Sequence, residues 1–328
     1  MRSSRRVAGA VCSLLLAASI GVNAQSSPKM RKIGHVIATV GKCEPEKRDE
    51  AFLASLAKLG YVVGRNLIVE RRCFRNIEEG RRVLNELVAL KVEVIFVGGP
   101  AIALAARDAT KDIPIVCGSC GDPVENGVVA SLARPGANVT GLASMSAELI
   151  GKRVELMKEA IPRLTQLAVL VFAGNPGNRS TLTLVDAAGR ALGVKIQRID
   201  VRGADDLEGA FKAAAAAGSG AVLIPDDPLS FSARKQIADL ALKHRLPSIA
   251  GQPQQAEAGM LIAYGPDRTD LYRRAAEFVD KLLKGAKASA LSMEQPTKFD
   301  FVVNLRTAQA MGLTIPQSIL ARADAVIQ

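Results

Sequence analysis

The sequence contains no tryptophan, and aromatic residues make up only 4% of its 328 positions. Any ring that a ligand stacks on must therefore come from a short list. Histidine is limited to His35 and His244, which excludes a three-histidine metal site. His35 lies inside an apolar strand-like run and His244 near the end of a helix-like one, so both read as structural. Catalytic signatures are missing as well. Gly118-Ser119 is not a nucleophile elbow, because Cys117 stands where that turn needs a glycine. No Gly-x-x-x-x-Gly-Lys-[Ser/Thr] phosphate loop occurs. Gly218-Ser219-Gly220 has Leu223 in place of the last glycine of a dinucleotide fingerprint. These absences lead us to expect neither enzymatic activity nor a cofactor.

Long apolar runs are lacking, with one exception. Arg2, Arg5 and Arg6 precede sixteen uncharged, mostly apolar residues, Val7 to Val22, and then Asn23 and Ala24. A basic start, a short apolar run and small residues at a cut site describe an export signal, expected to be cleaved after Ala24. The run is shorter than the about 18 residues a membrane span needs. A soluble, periplasmic protein is the expected product. Cleavage removes three arginines from a chain of formal charge +11 and leaves +8. The basic residues are scattered and mixed with acids rather than gathered in stripes between aromatics, so no nucleic-acid partner is expected. The chain is read as a monomer.

Four cysteines remain after cleavage: Cys43, Cys73, Cys117 and Cys120. An even number in an exported chain suggests disulfides, with three pairings open. Cys117 and Cys120 have redox-motif spacing, but Gly121-Asp122-Pro123 follows instead of a helix. Structural bridges or buried thiols fit better, and a single such pair is a weak zinc signal.

What the sequence does have is repetition. Short Val- and Ile-rich runs alternate with helix-like segments, the pattern of parallel sheets covered by helices on both faces. Ile33–Val40 and Gln166–Ala173 read as equivalent first strands 133 residues apart. Leu59-Gly60 and Leu192-Gly193 end helices at the same offset, and Ile113-Pro114 matches Leu246-Pro247. Two similar doubly wound α/β lobes follow, and the tail after them suggests that the chain crosses between them more than once, making a hinge. The expected division is 1–24 signal, 31–141 with 266–291 as the first lobe, and 142–265 with 292–328 as the second. Asp270–Leu283 reads as an amphipathic helix, with Leu271, Ala275, Phe278, Val279 and Leu282 on one side. Gly285 ends it, and Phe299–Val303 reads as a strand.

In open parallel sheets, ligands bind beyond the carboxyl ends of the strands, where helix N-termini present N–H groups. In the first lobe those loops are Gly41–Cys43, Gly98–Pro100 and Ser119–Asp122. The second lobe offers Gly174–Pro176, Asp226–Pro228, Gln252 and Tyr264-Gly265. The candidate ligand-binding residues are Gly99, Cys120, Asp122, Asn175, Asp226, Gln252 and Tyr264. Asp122 and Asp226 are expected to meet a ligand's polar groups, with Asn175 and Gln252 adding hydrogen bonds. Tyr264 fits either a stacking platform or a hinge residue. Asn and Asp before proline also suit caps and turns, so each loop has a purely local explanation too.

Several of these segments resemble one family. Asp122-Pro-Val-Glu-Asn-Gly-Val-Val-Ala-Ser-Leu-Ala-Arg-Pro-Gly-Ala-Asn-Val-Thr-Gly141 is similar to a block of the ABC transporter substrate-binding proteins related to the tryptophan-binding TrpX group. Tyr264-Gly265, Lys281-Leu-Leu-Lys-Gly-Ala-Lys287 and Glu294-Gln-Pro-Thr-Lys-Phe299 resemble further blocks. So do Asn304-Leu-Arg-Thr-Ala-Gln-Ala-Met-Gly-Leu-Thr-Ile-Pro316 and Leu320-Ala-Arg-Ala-Asp324. The resemblance implies a type I periplasmic-binding fold, its two lobes joined by a three-strand hinge, and capture of a small solute for a permease and ATPase, without a cofactor. Some members bind aromatic amino acids. This chain departs from the family at Cys120 and along Gln252–Gly259, where an aromatic-containing segment is usual. A ligand sensor facing a membrane receptor shares the fold and is the alternative, with an exported α/β enzyme behind it.

Overall fold

The computed structural model describes residues 30–39, 43–145, 147–175 and 177–328. The expected signal, the Gly41-Lys42 part of the first loop and Pro176 lie outside the described residues.

The first half of the chain runs β1 (Arg31–Ala38), α1 (Lys47–Lys58), β2 (Leu67–Phe74), α2 (Ile77–Ala89), β3 (Val94–Val97), α3 (Pro100–Ala109), β4 (Ile115–Cys117) and β5 (Val139–Gly141). These strands form one parallel sheet in the order β2-β1-β3-β4-β5. The second half begins with α4 (Glu148–Ala160), β6 (Gln166–Phe172), α5 (Asn178–Leu192), β7 (Lys195–Val201), α6 (Leu207–Ala216) and β8 (Ala221–Leu223). It continues through α7 (Pro228–Ser232), α8 (Arg234–Lys243), β9 (Ser248–Ala250), α9 (Pro253–Glu257) and β10 (Ile262–Pro266). The order β7-β6-β8-β9-β10 repeats that of the first sheet strand for strand. The 133-residue offset is visible in β4 and β9, which begin at Ile115 and Ser248.

The chain then returns. Helix α10 (Arg268–Leu283) packs against α1 on the first sheet, where Tyr61 Oη donates to Asp280 Oδ1 at 2.9 Å. After it come β11 (Phe299–Asn304), α11 (Leu305–Met311), α12 (Gln317–Leu320) and β12 (Ala325–Ile327), which extend the second sheet. Strand β11 runs antiparallel to β10, with Tyr264 opposite Phe301, so this sheet is mixed at one edge. The chain therefore passes between the sheets after β5, after β10 and after α10.

The central strands of both sheets are buried on both faces. Successive residues of β3 alternate between two cores. Val94 and Phe96 face Phe52, Leu56 and the apolar side of α10, while Ile95 and Val97 face Leu84, Leu87 and Ile102. In β6, Leu167 and Val169 join Val154, Met157 and Ile319, whereas Ala168, Leu170 and Phe172 join Phe211 and Ile237. At the first crossing, Gly141 has φ +131°, and a Cβ there would lie 2.2 Å from the Cys117 carbonyl oxygen. Only glycine lets the chain leave the sheet so close to β4.

One bridge forms among the four described cysteines, so none of the three two-bridge pairings is complete. Cys43 and Cys73 are bonded, with Cα atoms 5.7 Å apart, and Cys117 and Cys120 are free and buried. Among the described residues no helix is long and apolar enough to cross a membrane.

Asp300 on β11 is half-buried beside Asp267 and Asp324. Burial, aided by those two charges, pushes its pKa up to about 6. The folded state then holds its proton more tightly than the unfolded chain, so stability falls as pH rises from about 4 to about 6. Asp300→Asn removes this loss. Its melting temperature, relative to the native chain, is expected to be higher at pH 7.5 than at pH 4; the same difference at both values would refute the assignment.

Candidate functional site

The loops at the carboxyl ends of the two sheets face each other. Arg48, in the first turn of α1, reaches across, with its guanidinium carbon 5.4 Å from the ring centres of both Tyr272 on α10 and Phe231 on α7. Arg268, at the start of α10, donates from Nη2 to Asp226 Oδ1 at 3.3 Å. The Asn126 side chain comes close to Gly177, where a Cβ would lie 3.9 Å from its Oδ1.

Asp226 is at the centre. Strand β8 ends at Leu223, and Asp227 caps α7 by accepting from the Leu229 N–H at 2.8 Å, with Pro228 in the first helical position. That turn leaves Asp226 just ahead of the helix. Its Oδ2 accepts from Arg153 Nη2 at 2.8 Å, and Arg153 Nε donates to the Tyr264 carbonyl at 2.8 Å. Arg153 is fully buried, on the same face of α4 as Ile150, Val154 and Met157. Gly251 makes room for this pair, because a Cβ there would lie 2.3 Å from Asp226 Oδ1 and 2.5 Å from Arg153 Nη2.

Of the sequence candidates, four gather around this centre. Asn175 donates from Nδ2 to the Asp226 carbonyl at 3.0 Å and to Asp227 Oδ2 at 2.9 Å. Asp122 accepts from the Ala147 N–H at 3.0 Å. Burial raises its pKa against that bond, and Glu148, Glu125 and Asp226 push in the same direction as burial. Gly99 caps α3 with no side chain over the helix end and open space around its Cα, next to Gly98, which sits under the Tyr272 hydroxyl.

The other three are placed elsewhere. Cys120 is fully buried in the apolar core with Cys117, Val128 and Val139; burial and the hydrogen bond with Cys117 hold its thiol well above the ordinary range. Gln252 is also buried and caps α9, its N–H bonded to Gln255 Oε1 at 3.1 Å. Tyr264 shares a strand face with Ile262, so its ring packs on the core beside Phe299 and Phe301 rather than in the gap between the sheets.

Five residues that sequence reasoning passed over complete the arrangement: Arg48, Arg153, Phe231, Arg268 and Tyr272. Only Arg153 carried a usable signal, as the one arginine on the apolar stripe of α4. Several polar atoms at this junction are buried without a hydrogen-bond partner: Arg48 Nε, Arg153 Nη1, Arg268 Nε, Ser119 Oγ and Asn126 Oδ1. Unmet donors and acceptors of this kind are costly and uncommon in native folds. Here they form a site with both donor and acceptor capacity, suited to a small polar molecule.

Two tandem α/β lobes with facing loops define a type I periplasmic-binding fold, a class that solved structures confirm. A conserved domain protein from Vibrio cholerae matches with a TM-score of 0.85 and 26% identity, covering 91% of this chain and all of that one. The L-Trp complex of an ABC domain from Streptococcus pneumoniae gives 0.84 at 21% identity over 91% of this chain and 100% of its own. A curated relative, the tyrosine-binding protein of Clostridioides difficile strain R20291, is 24% identical over 88% of this chain and 82% of its own length. The family model for ABC transporter substrate binding proteins matches residues 35–327, so the chain belongs to that family.

Removing the Asp226 carboxylate leaves Arg153 buried without its counter-ion. Asp226→Ala is expected to cost about 3–5 kcal/mol in urea unfolding. A loss below about 1 kcal/mol would show that Arg153 is satisfied by other means.

Proposed function

We propose that this chain is exported to the periplasm, captures a small polar, amino-acid-like solute between its lobes and delivers it to the permease and ATPase subunits of an ABC importer. It carries out no chemistry of its own on this reading. The lobe boundaries are 31–141 with 266–291 and 142–265 with 292–328. Gly99, Asp122, Asn175 and Asp226 frame the ligand. Cys120, Gln252 and Tyr264 support the walls from behind.

The observation that carries this reading is the cluster of buried, unpartnered polar atoms where loops of both lobes meet. The relatives support the solute class, since one is named for tyrosine and another was solved with L-Trp. They also support a closed arrangement of the lobes. The L-Trp complex superposes with a TM-score of 0.84, against 0.67 for a ligand-free, open substrate binding protein from Clostridium difficile. A ligand favours closure only through its greater affinity for the closed form.

Thermal unfolding of the chain lacking residues 1–24, against amino acids and small organic acids, tests the proposal. A true ligand at roughly a thousand times its dissociation constant stabilises the fold by about 4 kcal/mol. X-ray scattering should show the particle contract with the same compound. No stabilising compound in the panel would remove the amino-acid-like class.

A further inference from the structure

Asp226 sits beside buried arginines whose N–H groups are not all met. Two guanidinium groups bond to it, Arg153 at 2.8 Å and Arg268 at 3.3 Å, and the positive charge of Arg48 acts on Arg268. Nearby carboxylates have partners of their own, while the charges of Asp49 and Glu46 also act on Arg48. Asp49 pairs with His35 at 3.0 Å, and Asp227 serves the α7 cap and Asn175. Glu46 reaches Arg48 Nη2 at 3.1 Å from the solvent side. Each arginine still keeps one buried N–H without an acceptor: Arg48 Nε, Arg153 Nη1 and Arg268 Nε. Burial, with Arg48 and Arg153 adding to it and Asp226 opposing, pulls the Arg268 pKa below the ordinary arginine value.

Geometry adds a second point. Arg48 is held between the Tyr272 and Phe231 rings, and Arg234 covers Phe231 at 4.6 Å. Stacking of this kind fixes the plane of a guanidinium in advance, so little freedom is lost when it forms hydrogen bonds. Arg48 and Arg268 come from the α1–α10 side of the molecule, whereas Asp226 and Phe231 come from the second sheet and its helices. An anion received by the two arginines would sit where the lobes meet.

We propose that the solute carries a carboxylate and that Arg48 and Arg268 receive it at the junction of the lobes, as a further counter-ion of the Arg48–Arg153–Arg268 cluster. This rests on the solute-capture reading above and adds to it the charged group that is selected and the residues that select it. A solute lacking the carboxylate leaves the buried donors unmet and is rejected, whatever the rest of its shape.

The test uses the chain without residues 1–24 and its Arg48→Met variant. Among the described residues Arg48 pairs with the partly exposed Glu46 and lies against ring faces, so its replacement is expected to leave the core intact. Acetate and chloride are first compared at constant ionic strength. Acetate should raise the melting temperature of the native chain beyond the effect of chloride, and Arg48→Met should abolish the difference. Equal effects of the two anions, or an undiminished acetate effect in the variant, overturn the proposal.

Matched aromatic probes then separate this proposal from the reading beneath it: L-tyrosine, 3-(4-hydroxyphenyl)propanoate, L-tyrosinamide and tyramine. The two acids should bind at least about tenfold more tightly than the amide and the amine, as expected when a charge-assisted hydrogen bond is lost. Equal binding by all four overturns the carboxylate seat and leaves solute capture standing. An acetate effect that depends on Arg48, with none of the four bound, upholds the seat and removes the amino-acid-like class.

Discussion

The buried pair of Arg153 and Asp226 is the contact on which the site is built. Arg153 projects from the apolar stripe of α4 into the interior and is fully buried. Its charge is tolerable only because Asp226 meets one end of the guanidinium and the Tyr264 carbonyl meets Nε. That requirement ties three elements together: α4, the turn after β8 and the middle of β10. It also explains Gly251, since any side chain there would occupy the space of the pair. Such a pair adds little net stability compared with apolar packing, but it fixes the position of its partners. Here it holds Asp226 at the mouth of the second sheet, where Arg268 can reach it from the other side.

Duplication explains why there is a gap between the lobes at all. Each sheet ends its strands in short loops at one edge, and the repeated strand order gives both sheets the same polarity. The chain passes between them three times, through Gly141, through the β10–α10 junction and again before β11. Those passages turn the two loop edges toward each other. Helix α10 is the decisive link: its body packs on α1, while its first residue, Arg268, bonds to Asp226 on the second sheet.

Much of the frame was legible in the sequence because it depends on local chemistry. Leu192-Gly193 stops a helix since glycine tolerates the left-handed φ of +64° found there. The apolar spacing of Leu271, Ala275, Phe278 and Val279 determines which side of α10 is buried. Loops rich in Asp, Asn and Pro identified Asp122, Asn175 and Asp226 as neighbours of the gap. The remainder depends on packing that no local pattern encodes. Cys120 sits on a loop, yet its side chain turns inward to the core. Tyr264 is governed by strand alternation and by the antiparallel β11 beside it, a pairing set by how the tail returns. Arg48 and Arg268 look like ordinary first-turn helix residues, and only the fold brings them face to face.

The same arginines bear on how closure is driven. Bringing Arg48 and Arg268 together sets like charges against each other in a poorly hydrated space, and each keeps an N–H that water would otherwise satisfy. Without another acceptor, closing the lobes trades hydration for repulsion. Among the described residues, the contacts between the two sides of the molecule include the Arg48–Phe231 stack and the Arg268–Asp226 bond. On the proposed reading, a bound anion tips the balance between open and closed forms. A carboxylate at this junction supplies the missing acceptor and cancels the repulsion at once, and it does both only when the lobes are together. On the proposed reading, recognition and closure are therefore one event, and selectivity for the anionic group follows from the work of closing.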